Sequence, residues 1–301
     1  MRAILKHGLG SLGICILMIV MGCSSSSNAA HPYASNEPIK TAKVFLPGVI
    51  STEKWEENLT FSQDGQTVYL NRVQFDPIQS NLYYSDFKDG QWGEPQKMSF
   101  SIDGRNDSWP FMSPDGKRLY FRSDRTTDKE PSFKRISRIW YVEREGDDWG
   151  KPQYTTLPNG NFSVAANHNA YVAVPNSTFT GEVIYLFKWK DGKYEKPEKL
   201  SSAINHPDYF NVSPYIAPDE SFLIFSRYTR EPETYVMYIS YNRDGEWSEA
   251  EKLNESVNES GYFSTFGIVS PDRKYLIWSK GTSEDLDIYQ MDLSESGIKL
   301  D

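Results

Sequence analysis

One phrase recurs along the chain. "SPDGKRLYFRS" at Ser113–Ser123 returns as "SQDGQTVYLNR" from Ser62, "APDESFLIFSR" from Ala217 and "SPDRKYLIWSK" from Ser270, with a worn copy, "AANHNAYVAVP", from Ala165. The turn residues are Asp64, Asp115, Asn167, Asp219 and Asp272, at spacings of 51, 52, 52 and 53. A fixed period of this size constrains the fold strongly, because each repeat is one supersecondary unit that buries its apolar face only by stacking on its neighbours. Pro-Asp-Gly is turn chemistry: proline presets φ, and aspartate and glycine tolerate the positions that follow. The short aromatic and apolar run after it reads as a strand.

The rest of each period is equally regular. An apolar–aromatic pair marks a third strand: Leu82-Tyr83, Ile139-Trp140, Ile184-Tyr185, Met237-Tyr238 and Ile288-Tyr289. In the first four copies another aromatic, Trp92, Trp149, Tyr194 or Trp247, follows that aromatic by nine residues, after a polar turn such as "KDGQW". A fourth strand then begins, as in "PQKMSF". Four strands per period of about 50 residues predict the blades of an all-β propeller. The last copy stops at "GIKLD", where its fourth strand is due, and an orphan strand, "AKVFLPG", precedes the first copy. The amino-terminal piece is therefore expected to complete the last blade, which removes exposed sheet edges. Lys43 to Asp301 is 259 residues, against 260 for five units of 52. The expectation is a five-bladed, closed β-propeller over residues 43–301; six blades would need a further unit for which there is no room.

The amino terminus is read separately. Arg2 and Lys6 precede a small, apolar run from Gly8 to Gly22, too short for a comfortable membrane span and suited to an export signal. It ends in "VMGC", which resembles the lipobox of bacterial lipoproteins, and that resemblance implies cleavage before Cys23 and its acylation. Residues 1–22 are expected as the signal and 23–42, of linker composition, as a flexible tether to the bilayer of a bacterial membrane. Loss of Arg2 and Lys6 takes the formal charge from −9 to −11, a poor balance for binding nucleic acid. The two cysteines are Cys15 and Cys23, so the folded part has none, and disulfides, thiol catalysis and cysteine-based zinc sites are excluded.

"SPDGKRLYF" and its variants, with "DIY" at 287–289 and "DGEWSEAEKL" at 244–253, resemble the PD40, or WD40-like, repeats of TolB-type propellers. The resemblance covers the whole region after the tether and speaks for fold more than function. TolB itself carries an α/β domain before its propeller, whereas about 20 residues separate Cys23 from the first strand here, so a Tol–Pal role does not carry over.

Function must come from residues outside the repeat consensus. In a propeller the inner strands line a channel, and the end opposite the "SPDG" turns is the usual binding face. Eight places after the turn residue stand Arg72, Ser123, Pro175, Arg227 and Lys280, with Arg122, Arg125 and Arg230 close by. Eight before it stand Glu56, Asp107, Asn159, Asn211 and Ser264, with Glu57, Asn58, Trp109, Tyr209 and Tyr262 nearby. Two readings follow. These groups satisfy one another as a structural ring, or Arg72, Arg122, Arg125, Arg227, Arg230, Lys280, Trp109 and Asn211 bind an anionic or hydroxyl-rich glycan, through guanidinium forks and aromatic faces. Trp92, Trp149 and Trp247 sit in a repeated slot at the other end and are expected to pack between blades.

No enzyme motif is present: no Gly-x-Ser-x-Gly and no His-Glu-x-x-His. TolB-like propellers include polysaccharide lyases that use histidines and a metal; beyond the signal this chain has only His31, His168 and His206. No cofactor or metal is expected. A carboxylate pair acting on a glycoside stays open, with Asp107, Glu57 and Asp124 as candidates. The expectation is a monomeric, membrane-tethered binding or scaffold propeller for an envelope protein or an anionic glycan, with a carbohydrate-active enzyme as the alternative.

Overall fold

A computed structural model describes residues 31–127, 136–175, 181–231 and 233–300. They build five antiparallel blades. The inner strands are Trp55–Phe61, Ser108–Met112, Asn161–Val164, Phe210–Ile216 and Phe263–Val269. The second strands, Thr67–Phe75, Arg118–Ser123, Ala170–Pro175, Phe222–Arg230 and Tyr275–Gly281, follow the repeated turn, and the third strands are Ile78–Lys88, Arg138–Glu145, Glu182–Phe187, Glu233–Arg243 and Leu286–Asp292. The fold is the expected five-bladed propeller of four-stranded blades.

The repeated turn explains its own spelling. Ser62 Oγ donates to Asp64 Oδ1 at 2.6 Å and accepts the Thr67 N–H at 2.9 Å. Ser113 and Ser270 repeat both bonds with Asp115 and Arg118, and with Asp272 and Tyr275. The next position is left-handed, with φ +70° at Gly65 and Gly116, which glycine adopts without strain. His168, Glu220 and Arg273 hold the same conformation in the other copies, at φ +58° to +68°.

The fourth strand departs from expectation. In blades 1, 2 and 4 it is two short pieces, such as Gln91–Trp92 and Gln96–Lys97, both paired with the third strand. Pro95 and Pro152 lie between the pieces in blades 1 and 2. Proline has no N–H to give a ladder, so it breaks the edge and discourages pairing with another chain.

Closure follows the sequence reading. Lys43–Val44 pairs antiparallel with the last blade's third strand, Lys43 opposite Gln290 and Val44 opposite Tyr289. The tether expected over 23–42 is corrected for residues 31–42. Tyr33 and Ile39 are buried in the main core, Tyr33 packs tilted against Phe61 at 4.8 Å between ring centroids, and the Asp292 N–H donates to the Ile39 carbonyl. A tyrosine and an isoleucine in that stretch were sufficient apolar surface to dock it. The leader and Cys23 lie outside the described residues.

The core lies between blade faces. Trp149 of blade 2 meets Tyr69 of blade 1 at 5.9 Å, and Trp247 of blade 4 meets Tyr171 of blade 3 at 6.1 Å. Trp92 packs against the main core at the closure. The loops between blades carry a clamp the sequence reading missed: Asn205 bonds both the N–H and the carbonyl of Ile184, and Asn258 does the same to Met237.

Candidate ligand site at the channel mouth

The inner strands share a distortion. The ladder shifts register at Glu56/Asn58, Ser108/Phe111, Val212/Tyr215 and Thr265/Ile268. Trp109, Ser213 and Phe266, at one repeat position, take φ of +55°, +52° and +52°. Bulges re-aim side chains, and left-handed conformations in residues other than glycine cluster at sites of function. With Asn58 and Asn161, these residues surround a narrow throat whose cavity is only about 20 Å³.

The mouth above this throat contains the sequence-nominated basic residues, and most are held internally. Arg72 Nε bonds Glu56 Oε1 at 2.8 Å with both side chains buried. Arg125 Nη2 bonds Asp107 Oδ2 at 2.8 Å, likewise buried. Lys280 pairs with Glu259 and sits over the rings of Tyr262 and Tyr289. Arg227 lies 4.4 Å from the Tyr238 ring centroid and donates to the carbonyls of Ala203 and Ile204. Arg230 is exposed over Phe210. Asn211 turns its amide onto the carbonyls of His206 and Tyr209. Of the two readings of these residues, the structural ring describes Arg72, Arg125, Arg227 and Lys280, which serve the blades themselves. The reason is register, since Glu56 opposes Arg72 directly across the ladder.

Two of the three carboxylate candidates are also structural. Asp107 accepts from Arg125, Ser101 Oγ and the Ile102 N–H. Asp124 accepts the Asn106 N–H at 2.9 Å and is buried.

Glu57, Arg122 and Trp109 form a different group. Arg122 lies over the Trp109 ring, 4.5 Å from its centroid, and donates to Asn159 Oδ1 and Ser137 Oγ. Asn71 Nδ2 donates to Glu57 Oε2 at 3.0 Å. Glu182, from the third strand of blade 3, joins them: it interacts electrostatically with Arg122, as does Glu57. Burial pushes the Glu57 carboxyl up, against the pull of Asn71, Trp109 and Arg122. Burial pushes Glu182 up to about 7, against Arg122. Tyr235, from blade 4, is pushed up to about 12 by burial and then by nearby groups that include Glu182 and Glu57. The Arg122 guanidinium is lowered by burial, which Glu57, Asp124 and Glu182 oppose. Four blades thus converge on one polar pocket mouth.

Buried polar atoms without partners concentrate at the same end. They include Asn58 Oδ1, Asn161 Nδ2, Glu182 Oε2, Asn211 Oδ1 and Asp287 Oδ1. Such atoms are rare in folded proteins and mark places where water or a ligand belongs. Glu182 and Tyr235 escaped the sequence reading. Glu182 opposes Pro175 across the ladder, as Asn81, Val236 and Asp287 oppose Arg72, Arg227 and Lys280. Extending the repeat comparison to the third strand would have found it.

No family model and no curated protein sequence matches the chain. Solved structures do. A TolB-annotated propeller from Agrobacterium tumefaciens is 17% identical with a TM-score of 0.50, over 81% of this chain and 79% of that one. The chain has the fold of a TolB-like β-propeller. At that identity the likeness is one of fold, and the chain is not TolB itself. A gluconolactonase from Xanthomonas campestris is 12% identical, over 85% of this chain and 90% of that one, with a TM-score of 0.46. Hydrazine synthase from Kuenenia stuttgartiensis is 11% identical, over 81% of this TolB-like propeller and 38% of its own chain, with a TM-score of 0.47.

Proposed function

We propose that this propeller is a binding module of the bacterial cell envelope, tethered through acylated Cys23, and that its ligand is a hydroxyl-rich glycan seated at the channel mouth. One observation carries the reading: Glu57, Arg122 and Glu182, from three blades, come together above a narrow throat, with the Arg122 guanidinium held over the Trp109 ring. The carboxylates and the ring-supported guanidinium offer a sugar's hydroxyls acceptors and donors. The ion pairs of Arg72, Arg125 and Lys280 weigh against the anionic version, because those charges are already neutralised. A neutral or amine-bearing glycan suits the two carboxylates better.

The test is calorimetric titration with neutral, uronate-bearing and amino-sugar oligosaccharides. Neutral or amino oligosaccharides should bind, and Trp109→Ala and Glu57→Gln should each weaken binding while the folded spectrum stays native. Preference for uronates would restore the anionic version, and no glycan binding at all would leave a protein ligand as the reading. The raised carboxyls of Glu57 and Glu182 favour a second reading, hydrolysis or elimination on a glycan with these two as acid and base in place of Asp107 and Asp124. Product release from a bound oligosaccharide, lost in Glu182→Gln with binding retained, would establish it.

A further inference from the structure

An apolar cavity lies at the other end of the channel. Below the throat the channel widens into a cavity of about 370 Å³ that opens between the repeated turns. Its walls come from the inner strands of blades 1, 2, 4 and 5, with Phe61, Phe111, Tyr215, Ile216, Ile268 and Val269. Pro114, Pro218 and Pro271, the prolines of three repeated turns, form the rim. Phe111, Tyr215 and Ile268 also line the throat, so they form the floor that separates the two ends. Blade 3 is the worn repeat: its turn has Ala165 and Ala166 where blades 2 and 5 carry serine and proline, and it contributes nothing to this wall.

Volume and lining suit a small molecule. Ligand pockets commonly span about 300–1,000 Å³ and are mostly apolar with a few polar groups. A dry cavity of about 150 Å³ holds benzene, so this one has room for roughly 15 non-hydrogen atoms. Aromatic walls and proline rings present flat faces at the rim, which favour a planar ligand. Arg273 stands on the rim with half its side chain exposed, and its contact with Asp219 is a long 4.0 Å. Asp219 is itself engaged by the Ser221 N–H and Oγ. Exposed pairs of this length hold little free energy, so the guanidinium is available to an acceptor on a ligand.

We infer that the turn end of the channel is a second binding site, for a flat, mostly apolar, ring-bearing small molecule with an acceptor group directed at Arg273. It is independent of the glycan reading, since Glu57, Arg122, Trp109 and Glu182 take no part in lining this cavity.

The probe is 2-naphthoate, a two-ring carboxylate within the size limit. Titration of the full folded chain should give saturable binding, with backbone amide shifts at Met112, Ile216 and Val269 and none at Arg122 or Glu182. Val269→Phe fills the cavity and should weaken binding at least about tenfold. Arg273→Gln, at a half-exposed site that cannot unseat the core, should weaken it about threefold or more by removing the charged donor. If Val269→Phe lowers the melting temperature, the Arg273→Gln result and the shift map decide. No saturable binding up to about 1 mM, where the free energy of binding would be only about 4 kcal/mol, overturns the site. Shifts confined to the mouth overturn it as well, and unchanged affinity in Arg273→Gln overturns the acceptor contact.

Discussion

Arg72 shows how a residue nominated for binding becomes a structural one. Its position in the repeat is polar in several blades, which reads as a rim, but its register partner is Glu56 and both are buried. Removing one member of a buried pair strands the other charge, at a cost of about 3–5 kcal/mol. Arg72→Gln should therefore shift the denaturant midpoint strongly, and an unchanged midpoint would return Arg72 to the candidate ligand residues. Glu182 makes the opposite case. Its carboxyl titrates at about 7 in the folded chain against 4.5 for the ordinary group. A raised acid pKa means that the native state holds the proton more tightly than the unfolded state, so stability is full below pH 4.5 and is lost as pH rises to about 7. Glu182→Gln should match the parent's melting temperature at pH 4 and exceed it increasingly from pH 5 to 8. A constant difference across that range would place the carboxylate in an ordinary solvated setting. Charge types at aligned positions were legible here, and their partners were not, because a partner depends on register and on which neighbouring strand faces the group.

At the scale of elements, the closure is the most exposed point of the architecture. Two residues of strand, Lys43–Val44, join the chain's ends, yet the segment before them adds Tyr33 and Ile39 to the core. Truncating a buried aromatic side chain costs about 3–5 kcal/mol. Chains starting at His31, Asn36 and Ser51 should melt in descending order, with the first step reporting Tyr33 and the second Ile39, Phe45 and the closing strand. Equal midpoints for the first two would show that Tyr33 adds nothing and would extend the tether to Ser35. The strands themselves were readable, since each follows a turn whose serine, aspartate and left-handed residue announce it. The division of the outer strand was foreshadowed by Pro95 and Pro152, whose missing N–H groups were present in the sequence but not used.

For the whole molecule, attachment and recognition are separable predictions. Cys23→Ser should abolish acylation and release the protein from membranes after a high-salt wash, while the purified domain keeps its melting temperature. Retention on membranes would show that the anchor lies elsewhere. The repeat by itself determined the blade, the blade number and the pairing of the two ends, because period and turn chemistry act locally and stacking follows from them. It also placed Trp149 and Trp247 between blades, since a slot repeated in four of the five copies is a packing position. Only the tertiary structure decided which charges are neutralised, that the throat is narrow, and that blade 3 contributes Glu182 to the mouth while leaving the turn-end cavity to the other four. Those outcomes depend on side chains from blades about 50 residues or more apart meeting in three dimensions, and no period along the chain records which of them face each other.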